Sequence, residues 1–304
     1  MSRTRLRRTL GASRLARRLT DSPPIGRVIA VTTHSRLVRP SLTYVARELS
    51  AAERTGRYRV RYGDVTVYLR HNTTDSSILD EVFLKRIYEP PAALDAKLNL
   101  LEHPLRIADL GANIGLFGAF ALVRWPGARV LAFEPDPRNA ALLRRTVAAN
   151  DLAEHWKVIE ACAHTADGKL PFVIDHFSDS RVLDPIPEGP ERELAPKLVA
   201  AVDVFPLLHG VDLIKIDIEG GEWALLADPR FAELTAVAIA IEYHPHLAPG
   251  PEPRVKASGA LRSAGYAIQE VFHDPREHGM LWAWREAGQT GADSDVRRSR
   301  STQR

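Results

Sequence analysis

The sequence predicts an α/β protein: a doubly wound, mainly parallel seven-stranded sheet ending in an antiparallel hairpin, preceded by a small N-terminal helix-and-hairpin extension. Three observations predict it. Apolar runs of strand length alternate regularly with helical patterns from residue 105 to 285. Within that alternation, a strand at 107–110 runs into a Gly-rich turn, a helix, and a second strand ending in an acid, Glu134. The last two strands, 265–272 and 280–284, are joined by a loop too short for a crossover helix, so they pair antiparallel at the sheet edge.

Bulk numbers set the frame. A chain of 304 residues suits one large domain with an appended piece. Its 45% hydrophobic and 26% charged content is ordinary for a globular protein. The single cysteine, Cys162, excludes an intrachain disulfide and fits a reducing, cytoplasmic setting. No apolar run approaches the roughly 18 residues that span a bilayer. The formal charge of +3 hides an asymmetry: residues 1–25 carry seven Arg and one Asp, 286–304 carry four Arg and three acids, and the body is therefore mildly acidic. Residues 1–25 read as a basic flexible tail, whose functional alternative is a weak contact with an anionic membrane surface. No apolar h-region follows its charges, as a secretory signal requires. Residues 286–304, small and polar, read as a disordered tail.

Between the tails, residues 26–101 form the accessory segment and 102–285 the main domain. Pro40-Ser41 opens a helix expected to reach about residue 54, with Gly56 as its stop. Alternating residues on either side of Gly63-Asp64 predict a hairpin over 58–70. Asp75-Ser76-Ser77 reads as the cap of a helix over 78–88, with Tyr88 among its apolar positions, and a short helix over 92–101 follows Pro90-Pro91. Such a segment is expected to cover the carboxyl ends of the sheet, where acceptor selectivity usually resides. In the main domain, Asp136-Pro137 caps a helix to Asn150. A third strand covers 157–163 and a short extra one 170–174. Residues 176–198, rich in Pro, Gly and charge, predict a long loop. The fourth strand spans 211–219, with Gly220-Gly221 turning into a helix, and the fifth spans 236–244.

The chemistry lies at the strand ends. A dinucleotide turn needs G-x-G-x-x-G, but those places here hold Gly111, Asn113 and Leu116. The run is instead Asp109-x-Gly111-x-Asn113-x-Gly115, the spacing of a turn that holds S-adenosylmethionine, whose ammonium and sulfonium need acceptors rather than a phosphate-binding helix dipole. Together with Phe133-Glu134-Pro135, the I-K-I-D-I-E-G-G-E run over 214–222 and Ile241-Glu-Tyr-His244, this resembles the FkbM family of S-adenosylmethionine-dependent methyltransferases, over roughly residues 75–284. The resemblance implies a class I methyltransferase fold and O-methylation of a hydroxyl on a sugar, glycolipid or polyketide-type small molecule.

Carried onto these residues, the resemblance places Asp109 at the cofactor's ammonium. Gly111 and Gly115 let the turn approach the cofactor, and Asn113 shapes it. Glu134, followed by Pro135, accepts both ribose hydroxyls, while Cys162 and Ala163 flank adenine. Cys162 reads as a buried small hydrophobe, not a nucleophile. Beside them stands a polar cluster. Strand alternation through residue 219 puts Lys215, Asp217 and Glu219 on one face. Asp217 is the first candidate to orient or deprotonate the acceptor, and His244 the second because imidazole titrates in the useful range. Lys215 is grouped with them; its structural alternative is an ion pair with Glu219 or Glu222. Glu219, Glu222 and Glu242 are candidate substrate contacts. The hard oxygens would suit magnesium or calcium, but no zinc spacing is present and no metal is expected. The other histidines carry no readable site. A nicotinamide oxidoreductase is opposed by the glycine spacing, and a nucleic-acid base methyltransferase by the lack of an N/D-P-P-aromatic run after the fourth strand, so no nucleic-acid partner is expected. A non-catalytic cofactor-binding protein is the remaining alternative.

Overall fold

In a computed structural model the chain is described at residues 23–50, 52–173, 181–182, 197–245 and 247–286. Both tail readings therefore fall largely outside the described residues.

The accessory segment begins with helix α1 (Pro23–Ser35), strand β1 (Val38–Arg39) and helix α2 (Ser41–Glu48). Helix α2 ends at Glu48, six residues before the expected end near residue 54, because Gly56 belongs to a strand. That strand, β2 (Thr55–Val60), pairs antiparallel with β3 (Thr66–Arg70) across the predicted turn, where Gly63 and Asp64 both have positive φ. Tyr44, Tyr58 and His71 meet edge to face between α2 and this hairpin, with ring centroids 5.3–5.5 Å apart. The helix expected over 78–88 is offset. Helix α3 (Asp75–Asp80) starts at Asp75, which is not a cap: its buried carboxylate accepts the Arg70 N–H at 2.7 Å and the Arg70 guanidinium at 2.8 and 3.0 Å. A wider π-helical stretch (Glu81–Lys85) follows and stops at Arg86, whose φ is 54°. Tyr88 thus lies beyond the helix. Helix α4 (Ala92–Asn99) leads into the sheet.

The central sheet contains β4 (Arg106–Leu110), β5 (Arg129–Phe133), β6 (Trp156–Ile159) and, later in the chain, β11 (Leu213–Ile216), β12 (Ala238–Tyr243), β13 (Ala267–His273) and β14 (Gly279–Trp284). Its order is β13-β14-β12-β11-β4-β5-β6, all parallel except β14, which runs against both neighbours. Two apolar faces follow from the alternation along each strand. Ile107, Val130, Leu213 and Trp282 join one core with helices α5 (Leu116–Arg124) and α6 (Pro137–Ala149) and the accessory segment. Leu110, Ile214, Ile216 and Ile241 join the other with α7 (Glu222–Ala227) and α8 (Pro253–Ser263). The extension is bolted to the sheet through α6: Asn150 accepts from the Thr66 N–H at 2.8 Å and donates to its carbonyl at 2.7 Å.

The expected third strand is in fact two. It breaks after Ile159, and β7 (Cys162–His164) leaves the central sheet for a second one, with β8 (Gly168–Val173), β9 (Arg181–Val182) and β10 (Lys197–Asp203) in the order β7-β10-β8-β9. Strand β10 lies partly where a loop was expected; most of that loop is outside the described residues. Strand β11 ends at Ile216 rather than at 219, and β12 at Tyr243.

Candidate active site

One cavity of about 490 Å³ opens at the carboxyl ends of β4, β5 and β11, between the two sheets and the accessory segment. Its volume is in the range of small-molecule sites. Gly111, Asn113, Glu134, Pro135, Cys162 and Ala163 line it on the cofactor side expected from the sequence, and Lys215, Asp217, Glu219 and Glu242 on the other. Glu81, Arg70 and Tyr88 of the accessory segment close the remaining wall.

The first half is built from backbone. Glu134 follows β5, and its two oxygens accept different main-chain donors: Asn113 N–H at 2.7 Å and Asp136 N–H at 2.8 Å. Those donors are fixed in turn. Asn113 holds φ at 49° and its side chain accepts the Ile114 N–H at 2.7 Å, while Asp136 caps α6 by accepting the Arg138 N–H at 2.8 Å. Oε1 also takes a long contact from the Asn139 amide at 3.4 Å, while Oε2 keeps a lone pair for a further donor. Burial lifts the Glu134 carboxyl to about 7, with the Asp136 charge adding to it, and these amide bonds hold it from rising further. The thiol of Cys162 is pushed up to about 12 by burial and by Glu134, which leaves it inert as a nucleophile at neutral pH.

The glycines act differently from expectation. Gly111 has φ +80°, and a Cβ there would lie 1.8 Å from the Asp217 carbonyl oxygen. Gly115 has φ +89°, and its Cβ would strike Leu143 and Trp156. Both must be bare for the fold itself, whatever occupies the cavity. Gly111 admits the turn after β11, Gly115 admits the helix and strand beneath the loop, and Gly115 does not line the cavity. Asp109 is likewise withdrawn. It is fully buried, outside the cavity wall, and 3.4 Å from the Lys215 ammonium, so its nearest cation in the fold is Lys215.

The second half is built from side chains. Lys215 donates to the Gly111 carbonyl at 2.6 Å and lies 3.3 Å from Asp217. Burial opposes its charge, but Asp217 and Asp109 together outweigh burial and hold it cationic. Its partners are thus Asp109 and Asp217, not Glu219 or Glu222, and a lysine so held is no base. Asp217 resists burial in the same way: Lys215 and His244 bring its carboxyl below the usual range. Because β11 ends at Ile216, the common face of Lys215, Asp217 and Glu219 is not a strand face. A turn makes it, with Glu219 at φ 51° and Gly220 at 95°.

His244 sits just past β12. It is buried, outside the cavity wall, and 3.4 Å from Glu219 and 4.0 Å from Asp217 through Nε2. Its Nδ1 faces Glu222 at 3.1 Å. Burial favours the neutral ring, yet Glu222, Glu219 and Asp217 outweigh it and raise the imidazole to about 10. A ring held cationic at neutral pH cannot be the base that its ordinary range suggested. Glu222 is fully buried and spent on structure, accepting the N–H groups of Gly220 at 2.8 Å and His244 at 2.7 Å; it does not reach the cavity as a substrate contact would. His246 lies outside the described residues.

Two participants escaped the sequence reading. Tyr88, taken as an apolar helix position, donates its hydroxyl to Glu242 at 2.6 Å from the cavity wall. His278, on the turn before β14, meets the other Glu242 oxygen at 3.2 Å and stacks on His244 at 4.9 Å. Both approach Glu242 from far along the chain, which no local pattern encodes.

Residues 109–267 match the model of the methyltransferase FkbM domain, a span of more than half the chain that includes both halves of the cavity. The chain belongs to the FkbM methyltransferase family. Among curated relatives, methyltransferase sdnD of Sordaria araneosa is 28% identical over 223 residues, covering 62% of this chain and 84% of that protein. Among solved structures, methyltransferase FkbM of Methylobacillus flagellatus is 16% identical with a TM-score of 0.42, over 88% of this chain. This FkbM chain spans only 60% of the length of that one. A SAM-dependent methyltransferase from Agrobacterium tumefaciens is 12% identical with a TM-score of 0.44, over 78% of this chain and 72% of its own. Among the described residues of this family member, no helix is long and apolar enough to cross a membrane.

Proposed function

We propose that the chain binds S-adenosylmethionine in the Glu134 half of the cavity and transfers its methyl group to a hydroxyl of a sugar, glycolipid or polyketide-type small molecule held in the Asp217 half. The observation that carries the reading is Glu134: a buried carboxylate at a cavity wall, anchored by two backbone amides, with Oε2 open to a further donor and Oε1 held besides only by the 3.4 Å Asn139 contact, suits a vicinal diol. The charge of the cavity agrees. Arg70 and Arg138 are engaged by Asp75 and Asp136, so acids dominate what faces the space, as a cationic sulfonium compound requires and a pyrophosphate does not. Ala163, Phe172 and Cys162 offer an apolar slot for a purine.

When bound, S-adenosylmethionine supplies an electrophilic methyl group on its sulfonium. The protein must hold the acceptor oxygen in line and take its proton. Asp217 is the cavity carboxylate placed to accept that hydrogen bond. Its lowered pKa makes it a poor base toward a neutral alcohol. It suffices late in the displacement, when the oxygen gains oxonium character and becomes far more acidic than a carboxylic acid. Lys215 keeps Asp217 ionised until then, and Tyr88 with His278 orients Glu242 in the same half of the cavity.

Calorimetric titration with S-adenosylhomocysteine, with NAD as the parallel control, tests the cofactor half. Micromolar binding of the first alone is expected, and binding of NAD alone would reject the reading. Labelled methyl transfer onto panels of neutral glycosides and polyketide alcohols, against amine and carboxylate acceptors, then tests the oxygen acceptor.

A further inference from the structure

We propose that Asp217, Glu219 and His244 form a binding site for a divalent cation of the Mn²⁺ type at the acceptor end of the cavity. The sequence grouped His244 with the hard oxygens near Asp217; the fold adds a defined geometry. The ring Nε2 of His244 lies 3.4 Å from Glu219 Oε2 and 4.0 Å from Asp217 Oδ1, and the three donor atoms all fall within 4.8 Å of one another. Neighbouring ligands around an octahedral ion with bonds of about 2.1 Å stand about 3 Å apart, so closing the triad asks for only small side-chain shifts.

The imidazole is also prepared from behind. Glu222, fully buried, can only accept from the ring, so it fixes the proton on Nδ1 and turns Nε2 toward the two cavity carboxylates. A carboxylate behind a histidine is how metal-binding imidazoles are commonly oriented. Glu222 is tied in turn to the backbone of Gly220 and His244, so the turn carrying Glu219 and the end of β12 are held together before any ligand arrives. Asp217 and Glu219 both face the cavity, which gives an ion access and leaves coordination positions open toward the acceptor. Lys215 engages Asp217 through Oδ2, the oxygen not facing the ring. One nitrogen with two carboxylates favours Mn²⁺ over softer, thiolate-seeking metals.

The site stands on these side chains alone. Its use, chelating vicinal hydroxyls of the acceptor, rests on the acceptor reading above. A proton on Nε2 is the rival occupant, since the same carboxylates that attract Mn²⁺ attract an imidazolium.

The test titrates Mn²⁺ into the EDTA-treated, dialysed full chain and follows free Mn²⁺ by electron paramagnetic resonance. Asp217→Asn and Glu219→Gln are taken in parallel, with melting temperature and S-adenosylhomocysteine affinity as controls for folding. A single equivalent of tight binding, weakened about tenfold or more in each folded variant, is expected. Wild-type binding no tighter than about 1 mM overturns the proposal and leaves the proton as occupant. Binding unchanged in both variants also overturns it, by placing the ion elsewhere. Should one variant not fold, the other decides. Mn²⁺ binding without S-adenosylhomocysteine binding would sink the methyltransfer reading and keep the cation site; the reverse result would do the opposite.

Discussion

The two halves of the cavity solve the same problem with different materials. Around Glu134, a buried carboxylate is satisfied by main-chain N–H groups whose positions follow from a helix cap and a left-handed turn. Around Asp217 and His244, buried charges are satisfied by one another, through side chains drawn from β11, β12 and the turns that follow them. Backbone donors are rigid and leave the geometry insensitive to neighbouring substitutions. A network of mutually compensating charges is strong only when complete, and removing one member strands the others. On the function proposed above, constancy suits the half assigned to an invariant cofactor, and adjustable side chains suit the half assigned to the acceptor.

This contrast can be broken or sharpened experimentally. The largest effect should come from Asp217→Asn, which is expected to cut methyl transfer by about 10²–10⁴ while leaving cofactor affinity nearly unchanged. Retained turnover, measured with labelled methyl groups on an accepted alcohol, would show that the side-chain half needs no proton acceptor there. Next, Glu134→Ala should weaken S-adenosylhomocysteine binding by about 2 kcal/mol or more, for two lost charge-assisted hydrogen bonds. Calorimetry showing wild-type affinity would separate this carboxylate from the ribose.

A smaller effect tests the glycines. Gly111→Ala combines the left-handed penalty of about 1–2 kcal/mol with a clash against the Asp217 carbonyl. Gly127→Ala, at φ +84° with nothing within 4 Å of its Cβ, should incur the conformational cost alone. Equal losses in melting temperature would mean that the contact between the two turns carries no weight.

The last effect is a pH dependence. The Glu134 carboxyl titrates near 7 when folded and near 4.5 as a model group, so the native state binds its proton more tightly. Its contribution is therefore stabilising below about 4.5, fades as pH rises to about 7, and is gone above that, in the opposite sense to a salt-bridged acid. Ligand hydroxyls donate to the ionised form, so cofactor affinity should weaken as pH falls below about 7. Glu134→Gln should flatten both profiles, and a profile unaltered by that substitution would assign the titration to another group.

The same contrast explains what was legible in the sequence. The Asp136-Pro137 cap, the acid at the end of β5 and the reversed β14 are encoded within a few residues, so periodicity and cap chemistry reveal them. Strand β10 pairs parallel with β7 and antiparallel with β8, contacts made across a stretch of charged and proline-rich chain that local pattern reads as loop. The π-helical stretch before Arg86 moved Tyr88 from a helix face to the cavity wall. The partners of Lys215 were misassigned because alternation was extended past the true end of β11.

The contact between Gly111 and the Asp217 carbonyl carries a consequence for how such enzymes diversify. The turns after β4 and β11 fit together like a mortise and tenon, with no room for a methyl group between them. A chimera that imports either loop from a distant relative should misfold locally unless its counterpart travels with it.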